Sequence, residues 1–399
     1  MKELLLAGGC LIFLVVYFLW ERLRVLKDTG CIPLRICVTG TRGKSSVTQY
    51  IAACLREAGF AVLARSTGAK PLIIYPDGEE KEMRRRGSPS ILEGKRILRL
   101  GSELKANALV VELMSIHPEC SSVESTQLFS PHILVITNVR LDHLAQMGSS
   151  KQEIAHCFAS AFPENGTVFV LEEECFPVFE KAAERRNARL IRVNRDSIEE
   201  YPGAVDKMLS WEFEENIRLV LALADFLNID KEVIRKITET QKPDFGRFQV
   251  WSMDVGTPPQ SWHLVSCFAV NDPDSTRRVL SRLIEKKFWE AKEVVGLLNL
   301  RRDRGDRTIQ WLNALEENVF PEFRKIFLIG EHASAFQRRL KRAAKTESFV
   351  LKSHLPQRIM EEVPRTVKGE AVLVGLGNMG GPGRELVELW EREGKPCGF

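Results

Sequence analysis

The sequence predicts an α/β protein with two mostly parallel sheets, helices on both faces of each, and one membrane-spanning helix in front. Three observations predict it. Short apolar, β-branched runs alternate with stretches of helical periodicity through both halves of the chain, the pattern of repeated β–α units. A length of 399 residues is enough for two such domains, each with its own core. An uncharged N-terminal stretch, Leu4 to Trp20, is followed at once by Arg22, Arg24 and Lys27.

That stretch, about seventeen residues, is at the short end of what crosses a bilayer as a helix. Tyr17 and Trp20 favour the membrane interface, and the basic flank keeps the C-terminal side in the cytosol by the positive-inside rule. No small-x-small cleavage pattern precedes Glu21, which argues against a removed signal peptide. The competing reading is a buried core helix. The expectation is a single-pass anchor in the cytoplasmic membrane, residues 1–28, with the catalytic body in the cytosol. Residues 28–34, with Gly30 and Pro33, read as a short linker.

Composition adds exclusions. Charged residues at 28% and apolar ones at 44% are ordinary for a globular body, and a net charge of +4 shows none of the concentrated basicity of a nucleic-acid binder. The nine cysteines form neither C-x-x-C pairs nor zinc-like spacings with histidine, so no disulfide framework or structural metal is indicated. That usage suits a reducing compartment.

The first strand, Ile36 to Thr39, runs into Gly40-Thr41-Arg42-Gly43-Lys44-Ser45-Ser46. Val47, Ile51, Cys54 and Leu55 then recur at helical spacing. Glycines let the backbone wrap an anion, and the N–H groups of the first helical turn point at phosphate. Lys44 supplies a charge for the β- and γ-phosphates, and the Ser45 hydroxyl is placed to ligate Mg²⁺. Val38 stands where the eight-residue phosphate loop has glycine, so the loop is a shortened variant. The bland alternative is an ordinary β–α turn.

A second strand follows at Ala61 to Ala64, then the polar stretch Glu79 to Gly87 with Arg84-Arg85-Arg86. That triplet reads either as a solvated charge run or as a phosphate or polycarboxylate contact. After a helix from Leu92 to Lys105, the strand Ala108 to Glu112 ends in a carboxylate, where open α/β sheets keep ligand groups. The strand His132 to Thr137 likewise ends in Asn138-Val139-Arg140-Leu141-Asp142-His143. Strands at Thr167 to Leu171 and Leu190 to Val193 flank a helix from Phe176 to Arg186, and an amphipathic helix opens at Phe213-Glu214-Glu215-Asn216. Lys242 to Arg247 reads as a boundary. Beyond it come Ser266 to Val270, a helix opened by Asn271-Asp272-Pro273-Asp274, the strand Val294 to Asn299, and Arg301 to Thr308. The strands Lys325 to Gly330 and Ala371 to Val374 complete the set, the latter taken as the last. Gly375-x-Gly377-x-x-Gly380 imitates a dinucleotide fingerprint, but a chain ending at Phe399 leaves no room for the βαβ unit that binds NAD.

The loop Gly40 to Ser46 resembles the G-T-x-G-K-[ST]-[ST] loop of the Mur ligase superfamily, ATP-dependent amide ligases, and further segments resemble that family in order. Asn138-Val139-x-x-Asp142-His143 is similar to its N-[IV]-x-x-D-H segment, whose histidine helps hold magnesium. Glu112, in E-x-x-S, resembles its metal-binding glutamate, and Asn216 its adenine-contacting asparagine. Gly246-Arg247 resembles the junction whose arginine meets ATP phosphate. Asn271-Asp272-Pro273 stands at a C-terminal-domain turn where the wider superfamily has histidine, and Asp303 and Arg304 stand at a substrate loop. Within the superfamily the chain most resembles the ligase subunits of poly-γ-glutamate synthases, which share the hydrophobic anchor. No equivalent of the carbamylated lysine of the peptidoglycan branch is placed.

The resemblance implies a central phosphate-loop ATPase domain, residues 29–247, and a smaller Rossmann-like domain, residues 248–399. It implies Lys44, His143, Arg247, Asp303 and Arg304 in catalysis. ATP would be bound by the loop residues Gly40, Thr41, Arg42, Gly43, Lys44, Ser45 and Ser46, with Asn216, Arg247, Asn271 and Asp272. Mg²⁺ would be held by Ser45, Glu112 and His143. The implied reaction joins a γ-carboxylate, activated as an acyl phosphate, to the amine of glutamate. Implied partners are glutamate, the growing polymer, the membrane and further synthase or export subunits in the membrane; a homo-oligomer is left open. Side-chain caps remain the alternative for Asn216, Asp272 and Asp274, a helix N-cap partnership for Glu112, and a core hydrogen bond for His143. The competing functions are a folylpolyglutamate-like ligase and an ATPase subunit of a polymer exporter.

Overall fold

The computed structural model describes residues 2–68, 71–83, 89–199, 201, 205, 208, 212–240, 249–256, 258–285, 287–289, 292–343, 346–367 and 369–397. The expected junction residues Gly246 and Arg247, and the triplet Arg84 to Arg86, lie outside them. The chain divides into two compact units, Met1–Gln241 and Lys242–Phe399.

Unit 1 begins with helix α1, Lys2–Gly30, whose apolar stretch from Leu5 to Trp20 is not buried by the protein. The helix continues unbroken to Gly30, so residues 28–30 of the expected linker are its last turn and residues 31–33 alone join it to β1. The described strands of unit 1 form one sheet. In chain order they are β1 (Leu34–Thr39), β2 (Val62–Ser66), β3 (Leu72–Ile74), β4 (Glu80–Glu82), β5 (Ala108–Glu112), β6 (Ile133–Ile136), β7 (Thr167–Leu171) and β8 (Arg189–Val193). Their spatial order is β4-β3-β2-β5-β1-β6-β7-β8; β2 to β8 across the centre run parallel, while β3 and β4 add an antiparallel edge.

The apolar runs are continuous because both faces of the sheet are covered. Ile36 and Val38 of β1 point into one core with Val110 of β5 and Val135 of β6, while Cys37, Leu109 and Leu134 point into the other. The first core is closed by helix α2 (Lys44–Glu57) and the helices Glu214–Phe226 and Lys231–Thr240. The second is closed by helix α3 (Glu93–Glu103), a π-helical turn at Val123–Phe129, the helices Lys151–Ala159 and Pro177–Arg186, and Val25 of α1. Central β1 has β5 on one side and β6 on the other. The chain leaves its C-terminal end at the point where crossovers diverge, the place where such sheets bind ligands.

Unit 2 holds a second sheet, β13-β12-β11-β14-β10-β9-β15. Its strands are β9 (Gln249–Val255), β10 (Gln260–Ser266), β11 (Glu293–Leu300), β12 (Lys325–Gly330), β13 (Glu347–Val350), β14 (Ala371–Gly377) and β15 (Lys395–Pro396). Strands β10 to β14 pair in parallel, while β9 and β15 pair antiparallel at one edge. Two expectations are corrected here. The strand placed at Ser266 to Val270 ends at Ser266, because the Val270 amide bonds back to the Cys267 carbonyl and Asn271 turns to φ 70°. The strand at Ala371 is not the last, since β15 follows it.

Candidate active site

At the C-terminal end of β1 the chain folds back on itself before α2 begins. Gly43 has φ 80°, a left-handed conformation, and a Cβ there would lie 2.7 Å from Asn216 Nδ2. Only glycine meets both demands without strain. The loop is held from the neighbouring strand: the Thr41 amide donates to the Asn138 carbonyl (3.0 Å) and the Arg42 amide to Asn138 Oδ1 (3.0 Å). In return, Thr137 Oγ1 and Asn138 Nδ2 donate to the Arg42 carbonyl, at 2.5 and 3.0 Å. Thr41 Oγ1 donates to the Arg140 carbonyl and accepts from the Arg140 amide. The segment after β6 is thus a template for the loop.

Lys44 opens α2 with its side chain folded back, Nζ donating to the Gly40 carbonyl at 2.8 Å and lying 3.5 Å from that of Thr41. Burial lowers its pKa, with the carboxylate of Glu112 acting the other way. An anion in the loop would therefore relieve a desolvated ammonium group. Ser46 is half-buried in the same first turn.

Ser45 Oγ donates to Glu112 Oε2 at 2.8 Å, and the Thr67 amide donates to that same oxygen at 2.6 Å. Three elements therefore meet here: the start of α2, the end of β5 and the loop after β2. A Cβ on Gly68 would be 2.5 Å from Ser45 Oγ, so the backbone after β2 closes directly over the serine. A hydroxyl and a carboxylate converging beside a phosphate loop form a hard oxygen donor set, which fits a small divalent cation that keeps several waters.

The other expected ligand is His143. His143 has φ 49°, its Nε2 is 3.9 Å from Asp142 Oδ2, and Asp142 also pairs with Arg42 at 3.3 Å. Among the described residues, no three His, Cys, Asp or Glu side chains gather in a metal-ligating group. Asn216 is buried beneath Gly43 and donates to Glu212 Oε1 at 2.7 Å; it does not cap its helix, which starts after Phe213. The structure makes it a support for the loop. Arg247 lies outside the described residues.

Sequence reasoning missed what lies under Glu112. Arg65, in β2, and Glu124, in the π-helical turn, form a fully buried ion pair at 3.0 Å, and Arg65 also donates to the Glu112 carbonyl at 2.9 Å. The Met114 and Ser115 amides and the Ser115 hydroxyl donate to Glu124 Oε2, at 3.1, 3.0 and 2.7 Å. The backbone on both sides of Glu112 is thus fixed by one buried carboxylate–guanidinium pair. An arginine inside the otherwise apolar run of β2 was the available signal.

In unit 2, Asp272 accepts from the Ser275 amide at 2.9 Å, the N-cap geometry, and the Asn271 carbonyl accepts from Trp311 Nε1. The bland alternative of a cap thus describes Asp272. Asp303 accepts from Nε and Nη2 of Arg301, at 2.9 and 2.7 Å, which lowers its pKa. Arg304 immediately precedes the helix Gly305–Glu316. Arg307, buried, donates to Asn378 Oδ1 at 2.7 Å, and Asn299 Nδ2 donates to the Asn378 and Gly380 carbonyls. Gly375 and Gly377 thus belong to β14 itself, and the turn from Asn378 to Gly380 is locked to the end of β11.

Strand, glycine loop, lysine and a hydroxyl–carboxylate pair define the class: a phosphate-loop nucleotide-binding protein on an open α/β sheet. Comparison with known proteins extends this. Residues 38–220 match the Mur ligase middle domain and residues 253–393 the poly-gamma-glutamate synthase CapB C-terminal domain. The chain is 32% identical over 393 residues to PGA synthase CapB of Bacillus subtilis, covering 96% of each protein. It is 29% identical over 393 residues to the capsule biosynthesis protein CapB of Bacillus anthracis, covering 97% of this chain and 83% of that one. Its fold is similar to a crystal structure of bifunctional folylpolyglutamate synthase/dihydrofolate synthase with Mn, AMPPNP and L-glutamate bound, with TM-score 0.63, 15% identity and 93% of both chains covered. The chain belongs to the poly-γ-glutamate synthase (CapB) family of Mur-type ligases, and it is an ATP-dependent amide ligase.

Proposed function

We propose that this chain extends poly-γ-glutamate at the cytoplasmic membrane, with the phosphate loop at β1 as the site of ATP activation. The terminal γ-carboxylate of the polymer attacks the γ-phosphorus of ATP, forming an acyl phosphate and releasing ADP. The amine of an incoming glutamate then attacks the acyl carbon, an amide forms, and phosphate and a proton leave. The reactants are all anionic, so catalysis is mostly charge neutralisation and positioning.

In this reading the Lys44 ammonium group moves from the Gly40 carbonyl to the β- and γ-phosphates. The first-turn amides of α2 cradle them. Ser45 and Glu112 would hold Mg²⁺, with His143 the third ligand that the family resemblance supplies; the ion would spread the γ-phosphate charge. The relative crystallised with Mn and AMPPNP supports a divalent ion in such a site. Arg247, Asp303 and Arg304 are assigned to phosphate and acceptor binding, and Asn271 and Asp272 to the nucleotide side. Glutamate, the polymer and membrane synthase subunits are the proposed partners, and α1 the proposed single-pass anchor, with both units in the cytosol.

The observation that carries this reading is the Ser45–Glu112 pair beside Lys44 at the end of the central strand, in a chain of this family. The test is full-length protein in membranes with its partner subunits, ATP, Mg²⁺ and labelled glutamate. Glutamate-dependent release of ADP and phosphate, together with γ-linked product, is the expected result. Glutamate-independent turnover without amide formation would instead favour an export motor.

A further inference from the structure

The lower end of α1 is fastened to unit 1. Glu21, one residue past the apolar stretch, pairs with Lys95 of α3 at 2.6 Å. Arg22 Nη1 donates to the Gln127 carbonyl of the π-helical turn at 2.7 Å, and Thr29 Oγ1 to the Leu128 carbonyl at 3.3 Å. Arg35, at the start of β1, donates to the Thr29, Ile32, Phe129 and Ser130 carbonyls. A continuous helix with these ties is a rigid post rather than a flexible tether.

Geometry then limits where the bilayer lies. Residues 4–20 span about 26 Å as a helix, less than the roughly 30 Å of hydrocarbon they would cross. A short span draws its flanking residues into the interface. Lys95 and Gln127, bonded to Glu21 and Arg22, are drawn there with them.

The surface of unit 1 carries the matching signature. Beyond Trp20, seven large apolar residues of unit 1 are exposed among the described residues, and Leu23, Leu26, Leu92 and Val123 lie on α1, at the start of α3 or on the π-helical turn. Leu92, at the start of α3 and 58% exposed, stands three residues from Lys95. The exposed cations Arg22, Lys27 and Arg96 share these elements. Apolar side chains interleaved with basic ones suit an anionic lipid surface.

We propose that α1, α3 and the π-helical turn form a membrane-contact face that lies on anionic phospholipid headgroups, with Leu92 inserted at the headgroup–acyl boundary. This rests on α1 being a membrane anchor. Only three residues separate α1 from β1, so the lipid contact also orients the strand that carries the phosphate loop.

The test uses full-length protein in phosphatidylglycerol-rich vesicles, with the exposed Cys10, Cys31 and Cys120 replaced by serine. An environment-sensitive fluorophore is placed at Leu92→Cys, at Phe13→Cys, or at Glu239→Cys on a helix of the opposite sheet face, and ATP turnover reports folding. Lipids carrying quenchers near the glycerol should quench the Leu92 label at least twofold and leave the Glu239 label unchanged, while chain-end quenchers reach the Phe13 label. Replacing anionic by zwitterionic lipid should at least halve quenching at Leu92 and leave Phe13 unaffected. Quenching at Phe13 with none at Leu92 overturns the contact face and leaves the anchor standing. Quenching at neither overturns the anchor too. Equal quenching at Leu92 in both lipids overturns the anionic preference.

Discussion

Gly43 shows how one residue can tie the loop to its support. Its left-handed backbone and its contact with Asn216 are separate constraints. Gly43→Ala should cost about 1–2 kcal/mol from backbone conformation alone, with a further loss from the clash. Thermal unfolding and nucleotide binding would both report it, and Asn216→Gly in the same chain should recover the clash part only. Lys44 makes a different prediction. Burial lowers its pKa below the usual 10.5, and bound phosphate raises it again. Nucleotide binding should therefore take up protons in alkaline buffer, and affinity should fall as pH rises through the lowered pKa. Calorimetry in buffers of different ionisation enthalpy checks this; Lys44→Arg, which stays charged, should show no such uptake. Linkage has the opposite sign in the unliganded fold: the unfolded chain binds more protons between the lowered pKa and 10.5, so stability rises with pH there.

Among elements, the strand end at Glu112 depends on a neighbour far away in sequence. Glu124→Gln leaves Arg65 buried without its counter-charge, a loss of about 3–5 kcal/mol for a broken buried pair. It should lower the denaturation midpoint and, because Glu112 is held through Arg65 and residues 114–115, raise the Mg²⁺ concentration needed for half activity. Glu112→Gln should raise that Mg²⁺ requirement with little change in stability, which separates ligand from support. The same contrast explains what could be read in the sequence. β5, β7 and β12 were legible to the residue because a strand buried on both faces writes an unbroken apolar run. β3, β4, β9, β13 and β15 are short or half-exposed strands at or next to a sheet edge with no such run, and went unread, while β10 was read only at Ser266. Cys267 to Val270 misled because apolar residues continue past the point where the backbone turns. The loop around Lys44 was legible because its chemistry is local. The Arg65–Glu124 pair and the seat of Asn216 under Gly43 were not, since each joins residues that only the fold brings together.

At the scale of the whole molecule, an amide ligase has to activate one carboxylate and hand it to one amine without losing it to water. Lys44→Ala should leave far-ultraviolet circular dichroism and the melting temperature nearly unchanged and reduce ligation by a factor of 10² or more, the scale of losing one preorganised charge at a transition state. The order of events is what separates this ligase from an ATP-driven motor. The most direct measurement uses a γ-glutamyl acceptor whose terminal carboxylate carries ¹⁸O, incubated with the full-length protein, its membrane partners, ATP, Mg²⁺ and glutamate. Transfer of one ¹⁸O into inorganic phosphate for each labelled acceptor extended, with ADP as the nucleotide product, is the predicted result. Unlabelled phosphate, or AMP and pyrophosphate, would contradict it.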